Sequence, residues 1–518
     1  MQRSGCSSAA AAGRLNLSGL PSLSQLMGNR RTKLTYMLWL AIHFPHLALN
    51  LLTRGQGGRK NLIALSAVPV ALSEIIERRE LIIDCTPAAS AAGVRPGMPV
   101  SAALGLLGDL RVAARDREAE RQALQRLAAW CYQYSSQVCI PGDRAGLLIE
   151  AGASGRLFGR PEDLGRRLAH ELGRLGYRAM TGSAPTPEAA WLAAQENLHI
   201  AAAGEIRRQL GPLPLQRLHL EPAHVAAMER MGFRQLCDLL RLPRKALTRR
   251  FGPAVSDYLD RLLGARADPR ALYQPPETFS SRLDLPAEIG TSQALLFPLK
   301  RLLEELCGIL RGGDTAVQAV QITLGHEHPH ADRGNTLIDL GLQSPTQDAT
   351  RLLAVLRQRL EHLRLPGPAR AIRLDAPRLL KFAAGQHSLF RDAPAERQQD
   401  IDQLAERLQA RLGRDAVSGL TGVEDHRPEY SWRTRALNEP PRCTALAHRP
   451  AWLLPQPRRC AIENYEILAG PERIESGWWD GRDCRRDYFV VRDAHGSTLW
   501  AFHEYKPRPG WYLHGIFA

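Results

Sequence analysis

Five cations, Arg241, Arg244, Lys245, Arg249 and Arg250, crowd one short stretch of the sequence, MGFRQLCDLLRLPRKALTRRFG. At this density guanidinium and ammonium groups suit a phosphate backbone or an acidic protein surface. Gly232 and Pro243 mark turns between helical runs, a helical-hairpin rhythm that favours DNA backbone contact over a merely solvated basic face. A second grouping, Gln386-His387-Ser388-Leu389-Phe390, joins a hydrogen-bonding amide to a Leu-Phe pair that can fill an apolar pocket. Its flanks, Gly385, Arg391, Asp392 and Pro394, favour an extended, accessible anchor peptide; the alternative is a Leu-Phe pair that closes the preceding domain. Metal chemistry has little to work with. The 9 cysteines form no CxxC pair and no zinc-spaced Cys/His cluster, which fits a reducing cytoplasm, and no Asp or Glu precedes Glu74. His326, His328 and His330 alternate in GHEHPH, but Pro329 and the polar flanks read as a surface loop.

These groups need several folded modules to position them. At 518 residues the chain is long enough for roughly three to five domains, and 44% hydrophobic with 23% charged residues is an ordinary globular composition. The net charge of +15 is carried largely by arginine. The most apolar stretch, Leu34 to Leu52, is interrupted by His43, Pro45, His46 and Asn50, so it reads as a buried strand entering a helix rather than a membrane span. Residues 1–36 are Ser-, Ala-, Gly- and Arg-rich, a disordered leader or the product of a start codon placed too early, with Met37 the alternative start.

From Met37 to about Ala203, apolar runs (LWLAIHF, LIALSAV, LIIDC, GLLIEAG) alternate with helical segments such as Asp116–Tyr134 and Pro161–Leu175, the signature of an α/β unit. A helical, arginine-rich stretch follows to about Leu263. A second α/β unit spans about Thr278 to Leu380, with helices Leu295–Leu310 and Asp348–Leu363 and strands VQAVQITL and AIRLDA. Beyond it comes a polar linker with one amphipathic helix, Glu396–Leu412, whose Leu404, Leu408 and Leu412 share a face suited to local packing. The last segment, from about Arg449, holds five of the 9 tryptophans and alternates strand-like runs with Gly and Pro turns, as a small antiparallel sheet does. Core packing and partner binding are equally open for each tryptophan there.

The segment GVRPGMPVSAALGLLGDLRVAARD (93–116) resembles the fingers motif of Y-family DNA polymerases. The likeness continues in order through YSSQV (134–138), LLIEAGASGRLFG (147–159), GSAPTPEAAWLAA (182–194) and the 232–252 hairpin. It implies a right-hand polymerase fold of class α/β (α+β), multidomain. The palm would be 37–45 with 114–203, the fingers 46–113, a helix-hairpin-helix thumb 204–275 and the little finger 276–384. A linker with the clamp peptide (385–448) and a Trp-rich β module (449–518) complete the chain.

Such polymerases hold two metal ions with clustered carboxylates. The resemblance places the family's acids at Leu40 and Ile42 in the first strand and at Ala145 and Gly146 in the second, with Asp143 nearby but off position. The tyrosine and arginine that grip the triphosphate fall on Pro87 and Ser90, and the lysines of the NKxxAK pattern on Pro187 and Trp191. Acids, tyrosine, arginine and lysines are absent together.

That combination, with the tail segments GPERIESGWWDG (470–481), RRDYFVV (485–491) and WYLHGIFA (511–518), resembles the ImuB-type family, inactive Y-family homologues of bacterial mutasomes. The resemblance implies an adapter that is not an enzyme, needs no cofactor and no metal, and works in the cytoplasm away from membranes. Its partners would be DNA, the sliding clamp (polymerase III beta subunit), an ImuA-like RecA-related protein and an error-prone replicative-type polymerase alpha subunit. Gln386, Ser388, Leu389 and Phe390 resemble the QxSLF clamp-binding peptide of bacterial polymerases. The competing readings are an active translesion polymerase with relocated acids and a protein-only scaffold.

Overall fold

The computed structural model describes residues 37–54, 68–142, 144–326, 335–382, 393–437, 439–441, 449–450 and 452–517. The first apolar run forms the strand Trp39–His43, which pairs antiparallel with Gly146–Glu150 on one side and Met180–Ala184 on the other; Val138–Cys139 lies at the outer edge. Leu40 and Ile42 face a core shared with the helices Arg117–Cys131 and Pro161–Arg174, while Trp39 and Ala41 face a second core under the helix Pro187–Gln195. Burial on both faces is why the run reads as continuously apolar rather than alternating.

A smaller sheet is inserted in that first unit. Val70–Ile76 pairs with Arg79–Cys85 antiparallel and with Arg111–Ala114 parallel, around a core containing Ala71, Ile82 and Val94. The motif GVRPGMP runs into the helix Val100–Leu106, with Gly93 and Gly97 at positive φ, where a side chain would be strained. Five helices between Ala203 and Leu263 complete the second core.

The second α/β unit is an antiparallel sheet of Phe279–Ile289, Thr315–His326, Thr336–Thr346 and Ala369–Ala376, with Leu380–Lys381 paired at one end. The helices Leu296–Gly312 and Ala349–Glu361 cover one face. This unit is not separate from the first, because one apolar core runs through both, from Leu127 and Trp130 to Leu302, Leu306 and Leu310. The helices meet at small residues, and a Cβ on Gly308 would lie 2.1 Å from the Trp130 ring. At the centre of the junction the Glu305 carboxylate, fully buried, accepts from Arg54, from Arg126 Nε at 3.1 Å and from Ser281 Oγ at 3.4 Å. Arg54 also donates to the Tyr177 hydroxyl and lies over that ring, 4.6 Å from its centroid. Burial favours the neutral Glu305 acid, yet the two arginines outweigh it and hold its carboxyl below the ordinary range. The connecting segment is tied down as well, since Tyr273 N donates to Val138 O at 2.7 Å along the first sheet's edge.

The expected linker is structured where the residues are described. The helix Ala393–Leu412 docks on the second unit through Glu406, which is buried and accepts from Arg351 and, at 2.7 Å, from Gln343 N. The hairpin Gly419–Gly422 with Trp432–Arg435 follows. The docked face of the helix is its polar one, so Leu404, Leu408 and Leu412 point outward with Ile401, the reverse of the local packing expected for them. The terminal module is a five-stranded antiparallel sheet, its inner face built on Tyr488, Trp500 and Phe502. Of its tryptophans, Trp500 is buried, whereas Trp452, Trp478 and Trp479 are exposed.

Candidate functional site

The end of the first strand is where the expected acids would have to converge. In an antiparallel ladder, opposite residues share a face and successive residues alternate. His43 pairs with Gly146 and Ala41 with Leu148, and the Trp191 ring covers this face, meeting the His43 ring edge-on at 5.3 Å. Leu40, Ile42 and the partly buried Ala145 belong to the other face, packed on the helix-covered core. The expected set of four positions therefore divides between two faces. The strand residues that share a side with Gly146 are Trp39, Ala41 and His43, the last two one place along from Leu40 and Ile42.

The packing on this face is tight at Gly146. A Cβ there would lie 2.3 Å from the Ile42 carbonyl oxygen and 2.6 Å from the Trp191 ring. No carboxylate side chain fits at that position without moving backbone and indole together. Burial keeps the His43 imidazole below its ordinary pKa, which favours the neutral ring against Trp191.

The carboxylates nearby are already committed. Glu188, on the first turn of the helix that carries Trp191, accepts Arg144 Nη2 on both oxygens at 2.9 Å and Arg270 Nη2 at 2.6 Å. Burial alone would favour its neutral form, but the two guanidinium groups hold its pKa below the ordinary range. Arg144 also lies over the Trp191 ring, 5.3 Å from its centroid. Glu150, at the far end of its strand, accepts Gly152 N at 2.8 Å and Ala153 N at 3.2 Å and shapes the turn that follows. This donor set, anions neutralised by arginine or turned into a loop, does not fit a pair of divalent cations. Among the described residues no cluster of His, Cys, Asp and Glu could hold a metal ion, and Asp143 lies outside them.

The phosphate-gripping positions are apolar or short. Pro187 is buried at the start of its helix, which Thr186 caps by accepting from Ala189 N. Pro87 opens the short helix Pro87–Ala91, and Ser90 receives the Arg95 guanidinium on its hydroxyl at 2.9 Å. Sequence reasoning missed the Trp191–Arg144–Glu188–Arg270 arrangement. Its one visible signal was an acid and a tryptophan three residues apart in a motif where basic residues were expected.

The basic hairpin folds as the helices Leu236–Leu240 and Arg244–Phe251, with Pro243 before the second and Gly252, at positive φ, after it. Arg241, Lys245, Arg249 and Arg250 are exposed; Arg244 is half-buried and pairs with Asp260 at 2.8 Å, so it departs from the expected set of five open cations. On the strands of the second α/β unit, arginines sit beside acids: Arg282 with Asp284, Arg370 with Glu288, and Arg373 with Asp375. The peptide Gln386, Ser388, Leu389 and Phe390 lies outside the described residues, as do His328 and His330; His326 hydrogen-bonds Thr336 at 2.8 Å. No helix among the described residues is long and apolar enough to cross a membrane.

Residues 58–195 match the model of the impB/mucB/samB family. The chain is 29% identical over 463 residues to the protein ImuB of Caulobacter vibrioides strain NA1000/CB15N, covering 82% of this chain and all of that one, and equally so to ImuB of a second strain. Similar solved structures include DinB from Sulfolobus solfataricus (14% identity, 66% of this chain, 99% of that chain, TM-score 0.36) and the insertion ternary complex of Dbh DNA polymerase (14%, 66% and 99%, TM-score 0.38).

Proposed function

We propose that this chain, similar to ImuB over 82% of its length and to the impB/mucB/samB family model over residues 58–195, is a Y-family polymerase homologue that serves the response to DNA damage without catalysis, as an adapter in translesion synthesis. The observation that carries this reading is the packing at Gly146, where the Trp191 ring and the Ile42 carbonyl occupy the space a longer side chain would need. Polymerisation needs carboxylate oxygens that bridge two metal ions to the primer and the triphosphate. Here Ala41, His43 and Gly146 line the face, and the Glu188 charge is spent on Arg144 and Arg270. The reading applies equally to Leu40, Ile42 and Ala145, none of which can ligate a metal.

In this proposal 37–45 with 114–203 act as palm, 46–113 as fingers, 204–275 as thumb and 276–384 as little finger. Arg241, Lys245, Arg249 and Arg250 contact DNA backbone without reading sequence. Gln386, Ser388, Leu389 and Phe390 bind the sliding clamp. Residues beyond them serve an ImuA-like RecA-related protein and the error-prone polymerase alpha subunit that performs synthesis. The arginine-acid pairs of the second α/β unit support a division of labour in which the hairpin supplies most of the phosphate contact.

A primed-template extension assay with Mg²⁺ or Mn²⁺ tests the central claim, with no nucleotide addition expected. Extension that disappears on Glu150→Gln or Glu188→Gln substitution would instead establish a working polymerase with relocated acids. Pull-down of clamp, ImuA-like protein and polymerase with the full chain, and with a truncation ending near Gly385, tests the adapter role. Binding of none of the three by the full chain would refute that role, and retention of all three by the truncation would refute the placing of these contacts beyond Gly385.

A further inference from the structure

The helix Ala393–Leu412 is anchored by one face and leaves the other bare. Glu406 is buried against Arg351 and the Gln343 amide, and Gln409 bonds Gln343 at 2.9 Å, so the helix is held in a fixed orientation. Opposite that anchor Ile401, Leu404, Leu408 and Leu412 are 58%, 55%, 37% and 60% exposed. Their spacing of three, four and four residues makes one continuous stripe along the axis. A docked helix that keeps its polar side inward and its leucines outward is the reverse of ordinary amphipathic packing.

The charges beside the stripe say what covers it. Asp400 lies on one flank near the helix start, and Arg411 lies on the same flank near its end; both are exposed. When two copies of one helix run antiparallel about a two-fold axis, each flank faces the same flank of its partner in reverse order. With the axis beside residue 406, Leu404 meets Leu408 of the other copy, Ile401 meets Leu412, and Asp400 comes opposite Arg411. The apolar stripe and the Asp400–Arg411 pair are both self-complementary in that register, while exposed Arg407 on the same flank comes near its own copy.

The geometry points to the outer face of this helix as a homodimerisation surface, its occupant the same helix of a second copy of this chain. The interface is isologous, so each side chain contributes twice and small changes are doubled.

Sedimentation equilibrium of the full chain over a wide concentration range reads the association directly. A reversible monomer–dimer equilibrium is expected. Leu404→Glu with Leu408→Glu should weaken it by roughly a hundredfold or more, because four leucines lose their burial and four carboxylates enter an apolar seam in each dimer. Asp400→Arg alone and Arg411→Asp alone should each weaken it by roughly fivefold, and the two together should restore it. These side chains are exposed, so the unfolding midpoint should stay constant, and circular dichroism of each variant checks that it does. A monomer at every concentration overturns the proposal and assigns the stripe to a different protein. A dimer indifferent to Leu404→Glu with Leu408→Glu, or a charge swap that fails to restore association, overturns it as well.

Discussion

Replacing Glu305 by glutamine should loosen the junction between the two α/β units far more than one isosteric change on an exposed helix would. The carboxylate is fully buried and neutralises Arg54, itself buried, as well as Arg126. Glutamine keeps the volume and removes the charge, which strands the Arg54 guanidinium in the core. Breaking a buried pair from one side costs about 3–5 kcal/mol. For folding units of this size each kcal/mol is worth about 2–4 °C, so the midpoint should fall by about 6–20 °C. Glu305→Leu combined with Arg54→Met removes both charges, and most of the loss should then return, since apolar replacement of a whole buried pair is often neutral. Scanning calorimetry of the wild type, Glu305→Leu, Arg54→Met and the double variant forms the cycle, with Glu305→Gln measured beside it. Limited proteolysis of the connecting segment near Tyr273 reports whether the units separate before either one melts. A Glu305→Gln midpoint within about 2 °C of wild type, or a double variant no better than the singles, would refute the idea that this pair holds the junction.

Glu305 and Glu188 also set an acid limit. Both have depressed pKa values when folded, so their stabilisation is present above the unfolded carboxylate value of about 4.3 and is lost as pH falls through the folded value. Unfolding midpoints between pH 6 and 3 should show that loss, and Glu188→Gln should flatten it. His514, which bonds the Tyr488 hydroxyl at 2.8 Å, is lowered to about 4 by burial, so the terminal module should lose stability as pH drops from about 6.5 toward 4. Fluorescence of Trp500, stacked parallel to His514, reads this, and a flat profile would contradict it. Neutralising Arg249 and Arg250 should weaken DNA binding equally for all sequences and reduce the salt slope by about 2; an unchanged slope counts against the hairpin. Alanine at Gln386, Leu389 and Phe390 should abolish clamp binding with the midpoint unchanged, and a drop of several degrees would mean those residues pack locally.

Much of the architecture was legible because it follows from period and turn chemistry. LWLAIHF, GLLIEAG and VQAVQITL read as strands, and the helices Arg117–Cys131, Pro161–Arg174 and Ala349–Glu361 lie within a few residues of their expected spans. Three things were not legible. Which face Leu40 and Ile42 occupy depends on pairing register, and a one-residue shift in alignment exchanges the faces without altering the local pattern. The docking of Ala393–Leu412 by its polar side was hidden too, because sequence pattern assumes that leucines point inward, while here one buried Glu406 paired with Arg351 decides the orientation. The Trp191 cluster depends on Arg144, Glu188 and Arg270, which are far apart in the chain and unremarked until the fold brings them together.

The contact between Gly146 and Trp191 bears on what position 146 can accept. A carboxylate fits at position 146 only once the indole has left, and truncating the indole first would cost about 3–5 kcal/mol and uncover the Arg144 guanidinium that now lies on it. Either step taken alone lowers stability and binds no metal. Introducing a carboxylate at position 146 is therefore opposed by the packing itself, whichever of the two substitutions comes first.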